Sequence, residues 1–188
     1  MEARDLAESQ RKTIFCVHHL GLGDAIVCLP IYRHFSETYN VVLPVKFHNV
    51  PSVQWMVRGL NVALLGVKDD TGAHNLADAA ARRGARILRL GMFGKGFDEK
   101  RWSECMYEQA GIPFEDRWKK WTINRDPSRE FEPQLKPYVF IHEDRNRGFQ
   151  IKEAFLPKIN RYRVMPNVTE NLFDYCRLIE EAEEPVGR

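Results

Sequence analysis

Residues 13–35 read TIFCVHHLGLGDAIVCLPIYRHF, in which the pair His18 and His19 leads into a Gly-x-Gly-Asp turn formed by Gly21, Leu22, Gly23 and Asp24. A carboxylate just after two glycines, where an apolar run meets a helix-period stretch, can take a proton from a hydroxyl that approaches the bare backbone closely. The plainer reading is a capped helix start, because an acidic side chain there meets free amides and the positive end of the helix dipole. Those same surroundings are expected to hold the Asp24 pKa down and keep the group ionised. Gly21 and Gly23 are expected to supply backbone torsions that bulkier residues reach only with strain.

Other chemistries fit the chain less well. Dinucleotide binding needs a third glycine and an acidic residue at the end of the second strand, but Ile26 and Lys46 hold those positions. GMFGKGF at residues 91–97 brings three glycines and Lys95 to the end of a strand, yet lacks the GK[ST] ending of a phosphate loop. Cys16, Cys28, Cys105 and Cys176 form no CxxC pair, so zinc knuckles and redox dithiols are not signalled, and no acidic or histidine cluster has metal-ligand spacing. Trp102, Tyr107, Phe114, Trp118 and Trp121 form an aromatic group best explained by packing.

The elements that must position the turn alternate. Strands are expected at 13–19, 40–45, 62–65 and 86–90, with helices at 24–38, 50–58, 72–83 and 100–110 between and after them. Pro30 falls inside the first helix, so it either kinks that helix or marks a late start. Helix-length segments between strands, without tight hairpin signals, predict an α/β fold with a Rossmann-like parallel sheet.

Two prolines and many charges in 124–136 mark a boundary, giving a first lobe over 1–128 and a second α/β lobe over 134–188. In the second, strands are expected at 138–142 and 161–165 and a helix at 171–182. A formal charge of +2, from 28 basic and 26 acidic residues, argues against a general polyanion binder, and no nucleic-acid pattern stands out. The leader MEARDLAESQRK is polar rather than signal-like, and no run reaches the roughly 20 apolar residues of a membrane span. A cytoplasmic protein is expected.

HHLGLGDAIVCLPIYRHF resembles the N-terminal signature of the ADP-heptose:lipopolysaccharide heptosyltransferases, glycosyltransferase family 9, with Gly23, Asp24, Leu29 and Pro30 matching it in order. The resemblance implies a GT-B fold of two Rossmann-like lobes, with the acceptor mostly on the first and a nucleotide-diphosphate sugar on the second. It implies transfer of that sugar to a glycan or other hydroxyl acceptor, without an obligatory metal or further cofactor. Asp24 would be the catalytic base, and His19, Gly21, Leu22 and Gly23 would line the acceptor side. YVFIHEDRNRGFQI, at 138–151, resembles the opening of the family's second lobe, so that His142, Arg145 and Arg147 would face donor phosphate. Against the family's length the second lobe is expected to be incomplete. The alternative is therefore a non-catalytic lobe that binds a glycan or protein, with self-association through the unfinished part.

Overall fold

The computed structural model describes residues 12–143, 148, 150–152, 154, 156–164 and 168–187. It divides into two compact units, Met1–Asn124 and Arg125–Arg188.

Unit 1 is a four-stranded parallel sheet flanked by helices. Its strands are β1 (Thr13–Val17), β2 (Asn40–Lys46), β3 (Val62–Val67) and β4 (Arg86–Arg89), in the order β3-β2-β1-β4. Every pairing is parallel, with Phe15 opposite both Val42 and Ile87 and Val42 opposite Ala63. Chain direction across the sheet reverses between β1 and β4, so their C-terminal ends flank the switch point at which open α/β sheets hold ligands. The loops after the two strands start side by side, the Leu90 amide donating to the Val17 carbonyl at 2.8 Å.

The expected single helix over 24–38 is two helices. α1 (Leu22–Val27) carries the turn, and α2 (Leu29–Ser36) starts afresh with Pro30 in its first turn. Proline is tolerated there because first-turn amides have no intrahelical acceptor. The break exposes carbonyls at the end of α1, and distant aromatics satisfy them. Ile26 would bond the amide of residue 30, which proline lacks, and takes the Trp121 indole N–H at 2.8 Å instead. The Val27 carbonyl takes the Tyr107 hydroxyl at 2.8 Å. Tyr107→Phe and Trp121→Phe should each lower the unfolding free energy by about 1–2 kcal/mol in urea denaturation, since each leaves a carbonyl without its donor.

Behind the break α2 buries Leu29, Ile31, Tyr32 and Phe35 in the core of unit 1. α3 (Val50–Met56) opens on Pro51 and buries Val53 and Met56. α4 (Asp70–Arg82) is capped by Asp69, whose carboxylate accepts the Gly72 amide at 2.9 Å. Its small Ala73 and Ala77, one turn apart, pack closely on Val17, Leu20 and Val67. α5 (Trp102–Ala110) stops at Gly111, which takes the left-handed conformation with φ 70° that a side chain would strain. A short α6 (Asp116–Lys119) follows.

Unit 2 has a three-stranded parallel sheet, order β6-β5-β7, around β5 (Tyr138–His142), with β6 (Asn160–Arg163) and β7 (Glu184–Gly187) on its flanks. Alternate β5 residues serve two cores. Tyr138 and Phe140 pack with Tyr175 and Leu178, and Val139 and Ile141 with Leu156. The helix expected at 171–182 is a 3₁₀ turn, Leu172–Tyr175, followed by α7 (Cys176–Glu180). Asn171 caps the turn through the Phe173 amide, and buried Asp174 accepts the Thr169 hydroxyl at 2.6 Å, holding the tighter geometry. β7 was not expected, because a short segment with Pro185 reads as a break. On a sheet edge it is tolerated. No helix among the described residues is long and apolar enough to cross a membrane.

Candidate active site at the C-terminal edge of the first sheet

The loop from β1 to α1 lies at the C-terminal edge of the unit 1 sheet and holds His18, His19, Gly21, Leu22, Gly23 and Asp24 within seven consecutive positions. Gly21 precedes the first turn of α1 with φ −72° and ψ 145°, a torsion open to any residue. Gly23 is helical and has open space where a side chain would stand. The expectation that both glycines serve torsion is therefore corrected. Gly21 instead lies under the Asp24 carboxylate, where a Cβ would stand 2.6 Å from Oδ2 and push that side chain aside. The carboxylate rests on bare backbone.

Asp24 forms no ion pair and takes no hydrogen bond from another side chain among the described residues. Its pKa is raised rather than lowered, chiefly because partial burial penalises the charge, while His18 and His19 pull it back. This overturns the expectation from the helix start. α1 has only six residues, and burial outweighs what so short a helix supplies.

His18 is buried, and burial lowers its pKa, keeping the imidazole neutral. Its contacts fix the tautomer. Nδ1 lies 2.5 Å from the His19 carbonyl, which only accepts, so Nδ1 carries the proton. Nε2 then accepts the Tyr32 hydroxyl at 2.6 Å. His18 is thus a structural bracket between loop and α2.

His19 faces outward and meets a partner from another element. Its Nδ1 is 2.9 Å from Asp70 Oδ2, at the start of α4. The other Asp70 oxygen accepts the Leu20 amide at 3.3 Å and lies 3.4 Å from Lys46 Nζ, at the end of β2. Partial burial pushes the Asp70 carboxyl up, but the Leu20 amide, His19 and Lys46 together outweigh it and hold the pKa below the ordinary aspartate value. Asn49 completes the bracing by donating to the Leu20 carbonyl at 3.3 Å. Three strand ends thus converge on one loop.

Beside Gly21, between the loop, β2 and α3, lies a shallow recess with room for about one water molecule. Its walls are mainly apolar, with His18 and Asn49 supplying polar edges. On the far side of β1, the 91–97 loop is pinned rather than loose. Gln109 accepts the Gly91 amide at 2.7 Å and donates to the Gly91 and Lys95 carbonyls at 3.1 Å each.

Of the residues expected to line the acceptor side, Gly21 and His19 meet Asp24 around one point, while Leu22 and Gly23 form the first turn of α1. His142 ends β5 and is exposed. Arg145 and Arg147 lie outside the described residues. Asp70 was missed. The available signal was its place just after the third strand, at the edge where a parallel sheet collects functional side chains. The two thiols flanking the loop are buried, and burial pushes Cys16 up to about 12 and Cys28 well above its ordinary value.

The arrangement offers a half-buried, unpaired carboxylate and an oriented imidazole on either side of a glycine, beside an apolar recess. Comparison with protein-family models, curated proteins and solved structures gave no match.

Proposed function

We propose that the protein is a glycosyltransferase of GT-B type, related to the heptosyltransferases, with unit 1 as acceptor lobe and unit 2 as the opening of the donor lobe. The single observation that carries this reading is Asp24, a carboxylate without an ion pair or a side-chain hydrogen bond among the described residues, laid on Gly21 at the switch point of a parallel sheet. In the reaction, the acceptor oxygen attacks the anomeric carbon of a nucleotide-diphosphate sugar while its proton passes to Asp24. The bond from the anomeric carbon to phosphate oxygen breaks, and its electron pair leaves with the nucleoside diphosphate. A base with a raised pKa suits this work, because it holds a proton more firmly than an ordinary aspartate. The bare backbone of Gly21 lets the hydroxyl come close.

Calorimetric titration of the full chain with a panel of nucleotide-diphosphate sugars tests the reading. Saturable heat with one donor, followed by transfer to a hydroxyl acceptor, is the expected result. Binding of none would leave the protein a glycan- or protein-binding module without transfer.

A further inference from the structure

We propose that His19 is a substrate-touching residue and Asp70 its positioning residue, so that the acceptor carries two neighbouring hydroxyls, one at Asp24 and one at His19 Nε2. The substrate part of this proposal rests on the sugar-transfer reading above. The pairing of His19 with Asp70 rests on geometry alone.

A carboxylate has no proton to give, so the 2.9 Å contact puts the imidazole proton on Nδ1. That tautomer leaves the ring's lone pair on Nε2. Asp70 is itself held in place, by the Leu20 amide at 3.3 Å and Lys46 at 3.4 Å. His19 therefore has its tautomer and its ring plane set from α4, in the way a second carboxylate sets a working imidazole elsewhere. No described residue takes Nε2, and the side chain is 45% exposed, so this nitrogen is open to a ligand.

The His19 ring edge that carries it lies near Gly21. The point where a Gly21 Cβ would stand lies 2.6 Å from Asp24 Oδ2 and 3.8 Å from His19 Cδ2, the ring carbon bonded to Nε2. Two acceptors of different kinds thus flank one stretch of bare backbone. Acceptors select donors, and one hydroxyl cannot give its single proton to both. Adjacent hydroxyls on a sugar ring, with oxygens roughly 3 Å apart and each reaching about 2.8 Å to its acceptor, span such a pair. In the reaction the hydroxyl at Asp24 loses its proton as the glycosidic bond forms. The hydroxyl at His19 keeps its proton and holds the ring in register. A monohydroxyl acceptor would lack that hold.

Two measurements on the full chain test the proposal. In ¹⁵N spectra of histidine-labelled protein, His19 should show protonated Nδ1 and bare Nε2, and Asp70→Ala should abolish that preference while Asp70→Glu restores part of it. A His19 signal with the proton on Nε2, or one indifferent to Asp70, would overturn the positioning role whether or not sugar is transferred. In the transfer assay, with the donor found by calorimetry, His19→Leu should raise KM for a vicinal-diol acceptor about tenfold and leave donor KM unchanged. With the matching deoxy acceptor, parent and His19→Leu should be alike. Equal acceptor KM values for the diol would remove the substrate-touching role while leaving the Asp24 reaction intact. Failure of transfer in the parent protein would instead sink the reaction itself.

Discussion

Asp24→Asn should cut sugar transfer by about 10³-fold, within the range for loss of a general base, and the variant should be more stable than its parent at neutral pH. The two effects have one cause. Burial raises the Asp24 carboxyl in the folded chain, so the folded state binds a proton more tightly than the unfolded state. What this group contributes to stability is present in acid, below the unfolded value, and is lost as pH rises through the raised folded value. At neutral pH the charge is a net cost, and an isosteric neutral amide removes it. The gain should therefore shrink toward zero as unfolding is followed into acid. A carboxylate serving the helix start behaves oppositely, since its charge favours the positive end of the dipole and a neutral amide there lowers stability by about 0.3–1 kcal/mol. Thermal unfolding of both proteins at neutral and acid pH, beside the transfer assay, separates the two roles. A variant that is less stable and fully active would remove Asp24 from the chemistry.

The second large effect concerns packing. Leu29→Ala should destabilise the protein by about 2–5 kcal/mol, the usual cost of emptying a well-packed site. Leu29 is fully buried at the first position of α2, with Cys28 and Ile31 equally enclosed beside it. A domain is stable by only about 5–15 kcal/mol, so the loss takes a large share of what unit 1 has. Urea denaturation monitored by circular dichroism measures it. Binding of a nucleotide sugar per folded molecule should not change, because Leu29 is fully buried and does not line the recess beside Gly21. The four residues that carry the family resemblance thus divide by task. Asp24 lies against Gly21 as the proposed base, Gly23 fits a helical turn, and Leu29 and Pro30 shape the core behind it.

The parallel sheet of unit 1 was legible because its strands are short apolar runs separated by helix-length segments, and all four lie where periodicity places them. The break at Pro30 was legible as two alternatives, and the choice between them depended on Tyr107 and Trp121, which supply partners from far along the chain. At the site, sequence marked Asp24 and His19 through their nearness to the glycines. It did not mark Asp70, which reaches His19 across 51 positions, because contacts made by parallel strand ends leave no local spacing. The reason for Gly21 was hidden too. A glycine demanded by torsion and one demanded by a neighbour's side chain look identical in a sequence.

The indole that replaces the missing amide of Pro30 also fixes the order in which the chain can mature during synthesis. The four strands of unit 1 are complete by Arg89, but the Ile26 carbonyl, at the end of the helix bearing Asp24, waits for Trp121. A nascent chain emerges N-terminus first. The helix bearing Asp24 is therefore begun almost first and finished late, and a chain stopped short of residue 121 would carry the four strands and the His19–Asp70 pair while the Ile26 carbonyl still lacked its indole donor.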